Sequence, residues 1–290
     1  MNDSYQQAER RLHNLEKKLL HEPMKAASYK EAIDKYVENG VAEEVPSDEI
    51  TPTDGCLVFY LHHAIIRKDK QTTKTRVVFD ALAKDSNGVS LNSCLEPGPA
   101  LQPDLVGILL HFQKNYVGIM GDIEKMILQI LLKEEDRDSH RYLWRDLDPK
   151  ATPKIYRMTR VTFRVVSSPF LAIGTIQEHV KMCKETFPVA SSEILRNTYV
   201  DDFASGRDNI RETLRLWQSA TELMQKAAFN LTKRSSNSSE LMDAISERDR
   251  EAVTWKVVYQ KRIQSQKHKD LSGIQQLTTL PLELVWILLS

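Results

Sequence analysis

The sequence predicts an α+β fold, a sheet backed by helices, from three observations. After residue 55, runs rich in β-branched and aromatic residues recur between turn signals. Amphipathic stripes at helical spacing fall between some of these runs, without the strict strand-helix alternation of a doubly wound fold. Finally, the acidic turn Tyr199-Val200-Asp201-Asp202 separates two short apolar segments, as in a hairpin.

The elements follow in order. Tyr5, Ala8, Leu12, Leu15 and Leu19 form an apolar stripe over residues 4 to 21, which predicts a helix ended by Glu22-Pro23. Ser28 and Glu31 suit a capping box for a second helix, stopped at Asn39-Gly40. Pro46 to Gly55 is a polar boundary, and Cys56 to Ile66 and Arg76 to Asp80 read as strands of a hairpin with a basic tip. Pro103 suits the first turn of a helix bearing Leu105, Ile108, Leu109 and Phe112. Tyr116 to Gly121 is an apolar strand that delivers Asp122. Tyr142 to Trp144 and Ile155 to Phe163 are strand-like, and Ser168-Pro169 opens a helix running toward Phe187 and then directly to the acidic hairpin. A further stripe from Ile210 to Ala228 leads to Phe229-Asn230-Leu231, beyond which the pattern weakens from about Ser235. This divides the chain into a helical connector (1–50), a central domain (51–250) and a poorly defined tail (251–290).

Composition narrows the function classes. The 290 residues are 41% hydrophobic, enough for a substantial core. Forty basic residues offset forty acidic ones, so no global field draws nucleic acid or a membrane surface. Cys56, Cys94 and Cys183 lack the paired spacing of a disulfide framework or zinc site. Absence of a signal pattern and of any apolar run of about 18 residues predicts an intracellular protein, cytoplasmic or nuclear, without a membrane partner.

Chemistry is concentrated in the acids. Adjacent carboxylates repel, so Asp201-Asp202 is either a solvated turn or a place where a cation sits. Asp122 at a strand end is either a helix-type cap or a third ligand. Arg67, Lys68, Lys70, Lys74 and Arg76 outweigh Asp69 in the hairpin tip, as a solvated loop or an anion-binding one. His62 and His63 lack companion ligands and are assigned to packing. Nucleotidyl transfer uses two divalent ions about 3.5–4 Å apart, held by carboxylates, with cations on the triphosphate. Asp122, Asp201 and Asp202 with Arg67, Lys68 and Arg76 supply the residue types for that chemistry.

The chain resembles the reverse transcriptase domain of retroelement polyproteins, specifically the BEL/Pao group of LTR retrotransposons. The resemblance rests on Arg76-Val77-Val78-Phe79-Asp80-Ala81, Ser90-Leu91-Asn92, Gly98-Pro99 with Leu101-Gln102-Pro103-Asp104-Leu105, Gly121-Asp122-Ile123-Glu124-Lys125-Met126, Glu135-Asp136-Arg137 with Leu143-Trp144-Arg145, Ser168-Pro169-Phe170-Leu171-Ala172 and Tyr199-Val200-Asp201-Asp202. These occur in the family's order over about residues 55 to 245. The resemblance implies a right-hand polymerase, fingers and palm with an antiparallel palm sheet. In it Asp122, Asp201 and Asp202 hold two Mg²⁺, or Mn²⁺, and Arg67, Lys68 and Arg76 meet a deoxynucleoside triphosphate. It also implies an RNA or DNA template with primer as partner, and a role for Lys233 as acid to the leaving pyrophosphate.

Three departures stand out. Phe163-Arg164-Val165 replaces the family's Phe-Gly-Val where template and nucleotide pass the backbone. Ile127 replaces the aromatic residue that excludes a ribose 2′-hydroxyl. Lys233-Arg234-Ser235-Ser236-Asn237 departs from Lys-Trp-Arg-Ser-Asn. The sequence therefore admits an active RNA-directed DNA polymerase domain, a catalytically impaired retrotransposon remnant that binds nucleic acid, or a helical interaction protein using residues 4 to 39.

Overall fold

The structure, a computed structural model, describes residues 4–51, 58–66 and 75–245. Arg67, Lys68, Cys56 and the tail 251–290 lie outside the described residues. In order, the elements are α1 (Tyr5–Leu20), α2 (Pro23–Glu38), β1 (Ala42–Glu44), β2 (Phe59–Ile66), β3 (Thr75–Asp80), α3 (Leu105–Gln113), β4 (Val117–Ile123), β5 (Arg141–Trp144), β6 (Lys154–Met158), α4 (Ser168–Met182), α5 (Pro188–Asn197), β7 (Thr198–Tyr199), β8 (Asp202–Arg207), α6 (Ile210–Gln225), β9 (Leu231–Ser236) and α7 (Ser239–Asp243). Among the described residues no helix is long and apolar enough to cross a membrane. The strands fall into two sheets rather than one, and the chain divides into two compact units.

The first unit comprises residues up to Ala100 and Lys125–Thr175. Its sheet has the order β1-β6-β5-β2-β3, and only the β2–β5 pairing is parallel. Helices α1 and α2 pack on it, so the apolar stripe read from Ala8, Leu12 and Leu19 is buried against strand residues such as Phe59 and Tyr60. α2 starts at Pro23, not at Ser28: proline needs no hydrogen-bond acceptor for its nitrogen in a first turn, and Ser28 lies inside the helix. Gly40, at φ +63°, turns the chain out of α2 as Asn39-Gly40 predicts.

The core of this unit is aromatic. Tyr29, Tyr60, Phe79, Tyr142 and Trp144 are buried around His62. His62 Nε2 lies 2.9 Å from the Leu143 carbonyl, which can only accept, so Nε2 carries the proton and Nδ1 accepts from the Tyr29 hydroxyl at 2.6 Å. His62 is thus a packing residue. Its burial pushes its pKa down to about 4.

A buried ion pair fastens α1. Glu16 is 1% exposed and accepts from Arg145 Nε at 2.9 Å and Nη2 at 2.6 Å, a forked arrangement. On the sequence stripe Glu16 belongs to the charged face. It is buried because Arg145, just after β5, supplies both the charge and the hydrogen bonds that a buried carboxylate needs.

The second unit comprises Leu101–Glu124 and the chain from Ile176 on. Its antiparallel sheet has the order β7-β8-β4-β9, with β4 in the interior. Period-2 alternation puts Gly118, Met120 and Asp122 on one face of β4, and Ile119, Gly121 and Ile123 on the other. Ile108 and Phe112 of α3 pack with Met120 and Ala204 on the first face. Trp217 of α6 packs on the second, where a Cβ at Gly121 would meet its ring at 2.4 Å. Helices therefore cover both faces of this sheet. The sequence reading also runs from the Ser168-Pro169 helix straight into the acidic hairpin, whereas α5 intervenes. Leu195 belongs to α5, not to a strand, and Phe187 is its N-cap. Pro103 precedes the N-cap Asp104 of α3, whose carboxylate accepts from Gly107 N–H at 2.8 Å.

Candidate active site

Four of the ten residues singled out from the sequence come together in the second unit. Asp122 lies within β4 and is paired directly opposite Asp202 at the start of β8. Directly opposed residues share a face of an antiparallel sheet, so the two carboxylates project from the face of Met120 and Ala204. Asp201 stands beside them in the turn, because Tyr199 pairs with Asp202 and leaves Val200-Asp201 as a two-residue loop. Val200 is at φ +55° while Asp201 is not left-handed, the pattern of a hairpin turn with positive φ at its first central residue. That conformation is strained for a β-branched side chain. The Asp201 carbonyl accepts from Ile123 N–H at 2.7 Å, tying the turn to the end of β4.

Lys233 arrives from the other side of β4. Met120 pairs with Ser235 and Asp122 with Thr232, so β9 carries one residue more than β4 across this interval. Lys233 occupies that bulge at φ +50°, and its Nζ lies 2.6 Å from Asp122 Oδ2. The ammonium partly offsets the charge of three clustered carboxylates. Asp201 nonetheless has its pKa raised, first by lost hydration and then by the Asp122 carboxylate, with its own backbone N–H and Lys233 opposing. Accumulated negative charge with hard oxygen donors is a donor set suited to Mg²⁺ or Mn²⁺. Among the described residues no three His, Cys, Asp or Glu side chains are already gathered as a ligand cage.

The remaining residues lie in the first unit. Arg76 is exposed on β3, opposite Ile65. Ile127 sits half-buried in a short 3₁₀ turn, Met126–Gln129, entered through Lys125 at φ +48°. Phe163 is 50% exposed. Arg164, exposed, takes φ +70°, a conformation that costs a glycine nothing. The arginine keeps the glycine-type backbone. Asn92 holds it there, donating from Nδ2 to the Arg164 carbonyl at 2.8 Å and accepting at Oδ1 from Val166 N–H at 2.9 Å. The sequence reading quotes Asn92 within a motif without giving it this task. Its signal was its position three residues from a 3₁₀ cap, Ser90, where an amide has no local partner to satisfy.

No protein-family model and no curated protein sequence matches the chain. Solved structures do. The native prototype foamy virus protease-reverse transcriptase superposes with a TM-score of 0.51 at 17% identity, covering 70% of this chain and 23% of that one. The fold is that of a reverse transcriptase. The foamy viral protease-reverse transcriptase dRH, in complex with double-stranded DNA, gives 0.52 at 15% identity, covering 71% of this chain and 30% of that one. A CSH mutant of the prototype foamy virus protein gives 0.52 at 16%, covering 72% and 24%. This reverse transcriptase-like chain therefore spans about a quarter of the length of its structural neighbours.

Proposed function

We propose that the chain is an RNA-directed DNA polymerase domain derived from a BEL/Pao-type retroelement, joining deoxynucleotides to a primer 3′-hydroxyl on an RNA or DNA template. The observation that supports this most directly is the set Asp122, Asp201 and Asp202 on one edge of an antiparallel sheet, with Lys233 on Asp122. These carboxylates would hold two Mg²⁺ or Mn²⁺ ions, which when bound supply charge neutralisation at the transferring phosphoryl group. The chain's own residues do the rest. β4 and β8 fix Asp122 and Asp202 by backbone pairing, so the donors are set before substrate arrives. Lys233 is a protonated donor beside Asp122 and is assigned as the acid that meets the departing pyrophosphate. Arg76, with Arg67 and Lys68, is assigned to the triphosphate.

The test is primer extension on an RNA template with purified, folded protein. Mg²⁺-dependent extension, lost in Asp122→Asn and Asp201→Asn, is the expected result; no extension by the wild type overturns the reading. A second reading, an impaired remnant that binds primer-template without extending it, is favoured by Arg164 on a glycine-type backbone and by Ile127. It expects Arg164→Gly to raise activity, and an efficient wild type unaffected by that change excludes it.

A further inference from the structure

A second polar feature of the sheet unit is distinct from the carboxylates. At the other end of β4, Val117 pairs with Arg207 of β8, five residues and roughly 17 Å along the strand from Asp122 at about 3.4 Å per residue. There His111, Lys114, Asn115, Glu193, Arg196, Asn197 and Arg207 line a recess of about 190 Å³ that contains no apolar side chain. Glu193 is already satisfied: Asn197 Nδ2 and Ser205 Oγ donate to Oε2 at 2.7 and 2.6 Å, and Arg207 Nη2 pairs with Oε1 at 3.1 Å. Burial opposes its ionisation, but those donors outweigh it and hold Glu193 below the usual carboxylate range.

With Glu193 matched to Arg207, Lys114 and Arg196 remain, and among the described residues neither has an acidic partner. Part of their charge answers the C-terminal ends of α3 and α5, each worth about half a negative charge. Three cations against one carboxylate still leave the recess positive after that correction. Guanidinium forks and an ammonium around a polar hollow match the oxygens of a phosphate, which carries about 1.5 to 2 negative charges as a monoester near pH 7.

We propose that the recess bounded by His111, Lys114, Asn115, Arg196 and Arg207 binds a phosphate group, at a site separate from the three aspartates. The phosphate can belong to a free phosphate compound or to a nucleic-acid backbone, and the proposal does not depend on polymerase activity.

The test uses the full chain and inorganic phosphate, with chloride at matched ionic strength as control. Phosphate is expected to raise the melting temperature saturably, and Lys114→Ala/Arg196→Ala to weaken that binding at least tenfold while Lys114→Arg retains it. Asp122→Asn is expected to leave phosphate binding unchanged, which separates this site from the polymerase reading. A single-stranded oligonucleotide lacking terminal phosphate identifies the source. If the backbone is the ligand, the double variant lowers the salt slope by about 1.4, from about 0.7 per phosphate lost. If the slope is unchanged while inorganic phosphate binding falls, a free phosphate compound is the ligand. No saturable phosphate effect in the wild type, or an equal effect in the double variant, overturns the proposal. The latter result would mean that these cations serve only the helix ends. Should the double variant not fold, Lys114→Gln alone gives the same readout.

Discussion

Lys233 reaches Asp122 only because β9 holds one more residue than β4 between their two flanking pairs, and the extra residue turns left-handed to aim its ammonium at the carboxylate. Lys233 is half exposed, so the pair itself contributes no more than about 1 kcal/mol to stability. Its electrostatic effect on the neighbouring acids is the more sensitive readout. Lys233→Met removes one of the two influences that hold the Asp201 pKa down, so the Asp201 titration midpoint is expected to rise. Carboxyl carbon NMR measures it, and an unchanged midpoint contradicts the assignment. The sign for stability follows: a raised native pKa means the folded protein keeps its proton longer, so this contribution declines as pH rises through the acid range, and declines further in Lys233→Met.

Arg164→Gly is expected to stabilise the fold. Relief of a left-handed side chain returns about 1–2 kcal/mol, and the freer unfolded glycine takes back about 0.5–1 kcal/mol. The net gain of about 0.5–1 kcal/mol corresponds to a rise of a few degrees in Tm. Arg164→Ala keeps the strained φ and is expected to gain nothing. Asn92→Ala leaves the Arg164 carbonyl and the Val166 N–H without their partner and costs about 1–3 kcal/mol by urea denaturation.

Glu16→Ala isolates the Arg145 guanidinium, which is 9% exposed, and is expected to destabilise the first unit by about 3–5 kcal/mol. Arg145→Ala leaves Glu16 buried and uncompensated, with a similar cost. The double variant costs less than the sum, and additive losses in a denaturation cycle would show that the pair is not coupled.

Two buried histidines set an acid limit. Burial lowers the pKa of both His62 and His140 from 6.5 to about 4. The unfolded chain binds these protons more readily than the native one, so their stabilising contribution is complete above pH 6.5 and is lost as pH falls toward 4. Urea midpoints recorded across that window are expected to fall with a slope of up to two protons. His140→Gln removes one of them.

The amphipathic elements were legible because their stripes are long and apolar: α1 and α6 bury the Leu, Trp and Met positions that the spacing picks out. The acidic turn was legible as a turn from its flanking apolar residues. α5 was not, since its inward positions are Ala190, Ser191, Ile194 and Asn197, too small and polar to produce a stripe. Glu16 was hidden for a related reason: burial of a carboxylate is decided by Arg145, 129 residues away, and no local pattern records that. The opposition of Asp122 and Asp202 also depends on strand register, which long-range pairing fixes rather than local propensity.

The pairing of β4 has a consequence for how the acidic cluster comes into being. Asp122 meets Lys233 across a sequence separation of 111 residues, and every backbone partner of its strand is made later than the strand itself. During synthesis β4 therefore waits with two unpaired edges and an apolar surface until the chain has passed β9. Closing loops of that size is slow, so the aspartates are assembled among the last events of folding. A fragment ending before β9 would display the acidic turn and β4 without the cation that tempers them.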